Sequence, residues 1–280
     1  MILDGVDYRA AFARHRTAPD EALIRRRLAD YAARGVTFLR DGGDRWGVGL
    51  RAKALAGAYG IDYRSPAFNI CRAGHYGAFL GRTFGDLAEY RALVAEVKAL
   101  GGDFIKVMAS GLMDFDHYGV LTDTPAEPEL LRDLVAVAHD AGFAVMVHAN
   151  GDAAVSASLA AGAESVEHGA YLHEETLYQL AESGAVWVPT LVTIGNLRHE
   201  GRFPDGVLEP LLAYQQQHVA RAAALGAKLA LGTDAGAYTV CHGEAVAQEY
   251  ALLQEALGEK TDEILTAGET AIRRVFRPQA

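Results

Sequence analysis

Cysteine is nearly absent. Cys71 and Cys241 are the two in the chain and stand in no CxxC or other metal spacing, which excludes a disulfide framework and leads us to expect a reduced, cytoplasmic setting. Positive charge is scarce as well: 26 Lys and Arg face 36 Asp and Glu, a formal net charge of −10. No basic run occurs, so a nucleic-acid groove or an anionic membrane surface is not expected. Long apolar runs are missing, so no segment is expected to span a bilayer, and Met1 to Arg16 breaks its apolar residues with Asp4, Asp7, Arg9, Arg14 and Arg16, unlike a signal peptide. The glycine patterns that cradle phosphates are lacking too. Gly47-Val48-Gly49 follows no strand directly and has no later glycine partner, and no GxxxxGK[ST] is found. Nor does a linker, charge block or low-complexity stretch divide the chain. What the chain does have is core: half of its 280 residues are hydrophobic and 22% are charged, enough for one large domain over residues 1–280.

Within that domain a unit repeats. Short runs of β-branched and aromatic residues end in polar or glycine residues and are each followed by an amphipathic stretch. Seven such runs can be counted: Val36 to Arg40, Ala67 to Cys71, Phe104 to Met108, Ala144 to His148, Ser165 to His168, Val186 to Pro189 and Lys228 to Gly232. Helical patterns lie between them, over Asp20 to Ala33, Gly85 to Leu100, Pro128 to Asp140, Ala153 to Ala161, Glu174 to Ser183, Pro210 to Leu225 and Glu244 to Leu257. Four helices close on Gly35, Gly142, Gly184 and Gly226, the residue type that a left-handed helix cap favours. Alternating strand and helix with such caps predicts an α/β fold with a parallel sheet.

In a parallel barrel, functional groups gather where strands end. Asp41, Lys106, His148, His168 and Asp234 all stand at or near such ends. Lys106 lies inside Phe-Ile-Lys-Val, where alternation turns Ile105 and Val107 toward the helices and Phe104, Lys106 and Met108 toward the axis. A lone lysine there is ordinarily a buried stem with its head in solvent. A desolvated amine can instead add carbon dioxide and become an anionic oxygen ligand able to bridge two cations. His148 and His168 end consecutive strands, so two ring nitrogens can share one metal, although either residue alone reads as readily as a satisfied core histidine. Asp234 is placed at the mouth over Ala230 and Gly232, its plain alternative being a helix or turn cap. Of the loop residues that could line the mouth (Arg40, Arg72, His75, Tyr76, His117, Tyr118, Tyr171, Arg198 and His242), His117, Tyr118 and His242 are the better substrate-binding candidates, because they follow the Lys106 and Asp234 strands. His139, His173, His199 and His218 read as solvated faces.

These residues carry a resemblance. Phe-Ile-Lys-Val-Met-Ala-Ser-Gly, Val-His-Ala-Asn-Gly, Val-Glu-His-Gly and Leu-Gly-Thr-Asp-Ala-Gly, in that order, resemble the fourth, fifth, sixth and eighth strands of the amidohydrolase superfamily. Gly-Val-Thr-Phe-Leu-Arg-Asp-Gly-Gly and Arg-Ala-Gly-His-Tyr-Gly resemble the second strand and the end of the third. The likeness spans nearly the whole chain and is nearest to the imidazolonepropionase and dipeptidase-like branch. It implies a (β/α)8 barrel without the β-sandwich many relatives carry. It also implies two divalent cations, zinc being expected, bridged by carboxylated Lys106, with His148 and His168 on one and Asp234 on the other. A metal-activated water would then attack the carbonyl of an amide or cyclic amide of a small molecule, with Asp234 as base and then acid.

One departure is plain. The family's first strand carries His-x-His, and no two histidines here are separated by one residue. The chain is therefore expected to open just downstream of that strand. Seven barrel strands should be seen, with the Val36 and Lys228 edges gaping, bridged by Met1 to Asp4, or paired with another chain as a homo-oligomer, and about one tightly bound metal. Two other readings stay open: a degenerate, non-catalytic barrel that binds one metal or a small ligand, and a metal site that performs deamination or isomerisation.

Overall fold

A computed structural model describes residues 1–278. Nine strands occur among the described residues: β1 (Phe38–Arg40), β2 (Asp62–Arg64), β3 (Asn69–Arg72), β4 (Arg82–Phe84), β5 (Ile105–Met108), β6 (Val145–Ala149), β7 (Ser165–His168), β8 (Val186–Val188) and β9 (Lys228–Leu229). The helices are α1 (Tyr8–Arg14), α2 (Glu21–Ala33), α3 (Val48–Ala56), α4 (Leu87–Ala99), α5 (Pro128–Asp140), α6 (Asp152–Ala160), α7 (Glu174–Ser183), α8 (Val192–Gly195), α9 (Asp205–Ala224), α10 (Ala245–Leu257) and α11 (Thr261–Val275). All seven predicted runs contain a strand, and the four cap glycines are left-handed, with φ of 75° at Gly35 and Gly184 and 88° at Gly142 and Gly226. Asp20 and Asp86 cap α2 and α4 by accepting the amides of Leu23 and Glu89, which satisfies first-turn donors that a helix leaves open.

The expected seven-stranded barrel is corrected in one respect. Seven strands form one parallel sheet in the order β4-β3-β5-β6-β7-β8-β9, while β1 leaves it and pairs in parallel with β2 as a separate two-stranded sheet. Two strands, β2 and β4, are additional to those expected. The ring is open between β1 and β9, and among the described residues no strand bridges the seam. On one side β1 has taken β2 as its partner, with Phe38 opposite Asp62. On the other side α11 lies on β9 so closely that a Cβ at Gly268 would fall 1.7 Å from the Leu229 carbonyl oxygen. Residues Met1 to Asp4 form no strand. The Gly5 amide donates to the Gly236 carbonyl at 3.1 Å and the Thr239 amide to the Gly5 carbonyl at 2.7 Å, tying the start to the loop after β9.

Three apolar clusters result. Ile105, Val107, Val147, Val166 and Leu229 face the outer helices, whereas Phe104, Met146, Val186, Val188 and Ala230 face inward, as alternation requires. The inner cluster is completed by Ile272 and Phe276 from the end of α11 rather than by strand residues alone. Phe276 is fully buried and stands edge-on to Phe104 at 5.2 Å between ring centres. A third cluster joins α2, α3, β2 and Ile2.

Candidate metal and active site

The inward positions of β5, β6 and β7 lie in register. Lys106 is level with Met146, and His148 is level with Glu167, so all four point to the same side. Strict alternation would then turn His168 outward. It does not, because His168 adopts a left-handed φ of 72°, and its ring meets that of His148 edge-on at 4.6 Å between centres. Thr190 after β8 has φ of 50° and Asp234 after β9 has φ of 52°. A β-branched residue in that region is strained, and such strain costs of order 1–3 kcal/mol per residue and tends to be held where function needs it.

Lys106, His168, Thr190 and Asp234 line a cavity of about 420 Å³ that also reaches Met146 and Glu167. Its groups are dry. Burial lowers the Lys106 amine from its usual range, against the opposing pull of Glu167 and Asp234. Burial, and then the Lys106 charge, brings His148 down to about 3, and burial carries His168 well below its ordinary value, so both imidazoles are neutral. Asp234 is exposed as a residue, yet desolvation of its carboxyl inside the cavity raises it to about 6 against the attraction of Lys106.

Each histidine has one nitrogen engaged. His148 Nε2 lies 3.1 Å from the Gly111 carbonyl oxygen, and His168 Nδ1 lies 2.7 Å from Thr190 Oγ1. This leaves His148 Nδ1 and His168 Nε2 for another partner. Among the described residues no group hydrogen-bonds or ion-pairs with Lys106 Nζ, and no three His, Cys, Asp or Glu side chains are gathered as a ready-made cluster. Two neutral imidazoles with anchored outer nitrogens and an unengaged buried amine match the donor chemistry of a metal site, in which ligating histidines characteristically give their second nitrogen to an oxygen. The residues fit a divalent cation.

The remaining candidates fall elsewhere. His242 lines the cavity, but both its nitrogens are taken, by the Tyr31 hydroxyl at 3.0 Å and the Leu3 carbonyl at 2.9 Å. His117 is exposed and bonded to Asp114 at 3.1 Å on the loop beyond β5. Tyr118, on the same loop, rests edge-on against Tyr171 at 5.5 Å. Asp41 also lines the cavity, but its carboxylate is engaged: Tyr63 OH and the Gly43 amide both donate to it. Among the solvated histidines, His139, His173 and His199 pair with Glu164, Asp152 and Asp205.

Four further residues take part, Arg40 and Tyr76 from among the possible mouth residues and Glu167 and Thr190 not singled out in the sequence. Arg40, expected at the mouth, is buried and donates to Ser165 Oγ at 2.9 Å and to Glu167 Oε1 at 3.2 Å, with its guanidinium 4.4 Å from the centre of the Phe276 ring. Glu167 could have been found by carrying alternation one strand further, since it shares the register of His148. Tyr76 packs its ring 4.9 Å from His148, and Thr190 had no sequence signal.

The frame is thus a parallel α/β sheet whose strand ends carry a lysine, two histidines and an aspartate. The chain belongs to the amidohydrolase family, whose model matches residues 49–267. An uncharacterized protein of Mycobacterium tuberculosis is 29% identical over 228 residues, covering 77% of this chain and 60% of that protein. Ochratoxinase of Aspergillus niger is 31% identical over 147 residues, half of this chain and 28% of its own length. The crystal structure of A. niger ochratoxinase superposes over the whole chain and 70% of that structure, with a TM-score of 0.79 at 24% identity. A Xaa-Pro dipeptidase with bound methionine gives a TM-score of 0.71 at 22% identity, over 88% of this chain and 66% of that one. The chain thus spans about 60% of the length of the mycobacterial relative it matches. No helix among the described residues is long and apolar enough to cross a membrane.

Proposed function

We propose that the chain is a metal-dependent hydrolase that cleaves an amide or cyclic-amide carbon–nitrogen bond of a small molecule. The observation that carries this reading is the pair of neutral imidazoles, 4.6 Å apart with one nitrogen of each anchored, beside a buried amine that has no hydrogen-bond partner among the described residues. His148 Nδ1 and His168 Nε2 would hold a divalent cation. Lys106 would join them once its amine, in the deprotonated form, adds carbon dioxide and loses a proton, which replaces the amine by an anionic oxygen donor. Mixed nitrogen and oxygen donors suit zinc.

When bound, such an ion supplies Lewis acidity toward a carbonyl oxygen and acidifies water. The protein's own part is to exclude bulk water, to orient the carbonyl over His148 and His168, and to move a proton. Asp234 takes the proton of the attacking water and returns it to the departing nitrogen. Tyr118, against Tyr171 at the rim, contacts the outer part of the substrate, while His242 serves as cavity wall.

The test is hydrolysis by the zinc-loaded chain across a panel of amides that begins with Xaa-Pro dipeptides and ochratoxin, the substrates named by its structural neighbours. Lys106→Ala should lose most of the activity, and a short carboxylic acid with added zinc should restore part of it. Full activity in Lys106→Ala would remove the carbamate from the account. The open seam between β1 and β9 supports a second reading, a non-catalytic barrel that binds one metal, and zinc binding without turnover across the panel is its signature.

A further inference from the structure

We propose that Thr190 is a positioning residue for His168, and that Glu249 holds Thr190 in the strained backbone this task requires. Its bearing on a metal rests on the function proposed above, while the geometry stands by itself. The backbone of His168 is fixed first: its carbonyl accepts from Trp187 Nε1 at 2.9 Å and from Gln215 Nε2 at 2.8 Å. Its neighbour Gly169 leaves no room for adjustment, because a Cβ there would stand 2.6 Å from Trp187 Nε1. With the main chain held, the Nδ1 contact to Thr190 Oγ1 at 2.7 Å sets how the ring turns and which nitrogen carries the proton.

Thr190 meets His168 from a left-handed conformation, which a β-branched residue resists. The restraint comes from the next two residues. The Leu191 and Val192 amides donate to Glu249 Oε1 at 3.0 Å and Oε2 at 2.7 Å. The helix they begin, α8, has four residues, too few to hold itself in place. Glu249, on α10, is wholly buried, and among the described residues no Lys or Arg pairs with it. A buried carboxyl without a cation is costly, and here each of its oxygens accepts an amide of the segment that starts at Thr190.

The contrast with His148 shows what Thr190 decides. His148 Nε2 meets the Gly111 carbonyl, which can only accept, so its Nε2–H tautomer is fixed. A hydroxyl can donate or accept. At His168 the assignment is that Nδ1–H donates to Thr190 Oγ1, so that Nε2 keeps its lone pair for the cavity.

The experiment is long-range proton–nitrogen spectroscopy of the full chain, metal-free and labelled with 15N-histidine, with His168→Gln assigning the resonance. His168 should appear as the Nδ1–H tautomer in the wild type and in Thr190→Ser. Thr190→Val should move it toward Nε2–H and lower zinc affinity about 10- to 100-fold. Glu249→Gln, which keeps one acceptor of two, should move it the same way with a smaller loss. An Nε2–H ring in the wild type, or an unchanged tautomer and zinc affinity in Thr190→Val, overturns the proposal. The wild-type tautomer is read without metal or substitution, so a folding failure of Thr190→Val still leaves a deciding result. A chain that binds no zinc defeats the proposed function separately.

Discussion

The two sides of the barrel are built by different means. From β5 to β8 each strand is joined to the next by a parallel hydrogen-bonded ladder, and Lys106, His148 and His168 stand on that ladder. Between β9 and β1 no ladder runs. The seam is held by α11 lying on β9, by Phe276 inside the ring of strands, and by the Arg40–Glu167 ion pair that links the two-stranded sheet to the seven-stranded one. A ladder fixes side chains by counting residues. A seam sealed by packing and by side-chain bonds, Arg273 to Asp62 and Arg64 to the Phe276 carbonyl among them, fixes them only while those contacts last.

That difference yields an order of expected effects. The largest should come from Phe276→Ala, which empties the space beside Phe104 and should cost about 3–5 kcal/mol in chemical denaturation. Hydrogen exchange should then show the α11 and β9 amides opening ahead of those of β5 to β8. Uniform opening on both sides would erase the distinction drawn here. Arg40→Ala leaves Glu167 buried and unpaired and should also cost about 3–5 kcal/mol, most of it recovered in the Arg40→Ala, Glu167→Gln pair. No recovery in the double variant would mean that the ion pair is not what joins the sheets. Gly268→Ala pushes α11 off the Leu229 carbonyl and should cost about 1–3 kcal/mol, since helix and strand must separate as bodies. A neutral result would show that α11 does not need that approach.

The smallest effect has the opposite sign and belongs to the ladder side. Lys106→Met removes a buried amine that no protein group satisfies, and the metal-free chain should gain about 0.5–2 kcal/mol, the usual exchange of function for stability. A loss of stability instead would mean that Lys106 is there to serve the fold.

The same contrast sets what the sequence could tell. On the ladder side, period-two alternation placed Phe104 and Lys106 inward and Ile105 and Val107 outward, and the helices over Pro128–Asp140 and Glu174–Ser183 were read to the residue. On the seam side it could not tell. β2 and β4 are three residues long and begin or end in charge, too short for any period to emerge. The apolar positions of α11, among them Leu265, Ile272 and Phe276, are helical in spacing, yet nothing local says that its end enters the ring. The preference of β1 for β2 is likewise a matter of long-range pairing. Within the site, the residue types at the strand ends were visible. What was not visible is the backbone reversal at His168, Thr190 and Asp234, because left-handed conformations at such residues are imposed by tertiary partners such as Trp187, Gln215 and Glu249.

The central claim is that the ladder side by itself presents a metal-binding pair. Equilibrium dialysis of the chain against zinc tests this most directly. The account predicts about one tightly held equivalent in the wild type, its loss in both His148→Ala and His168→Ala, and its retention in Gly268→Ala under conditions where that variant is folded. Retention of the equivalent in His168→Ala, or no zinc in the wild type, would contradict it.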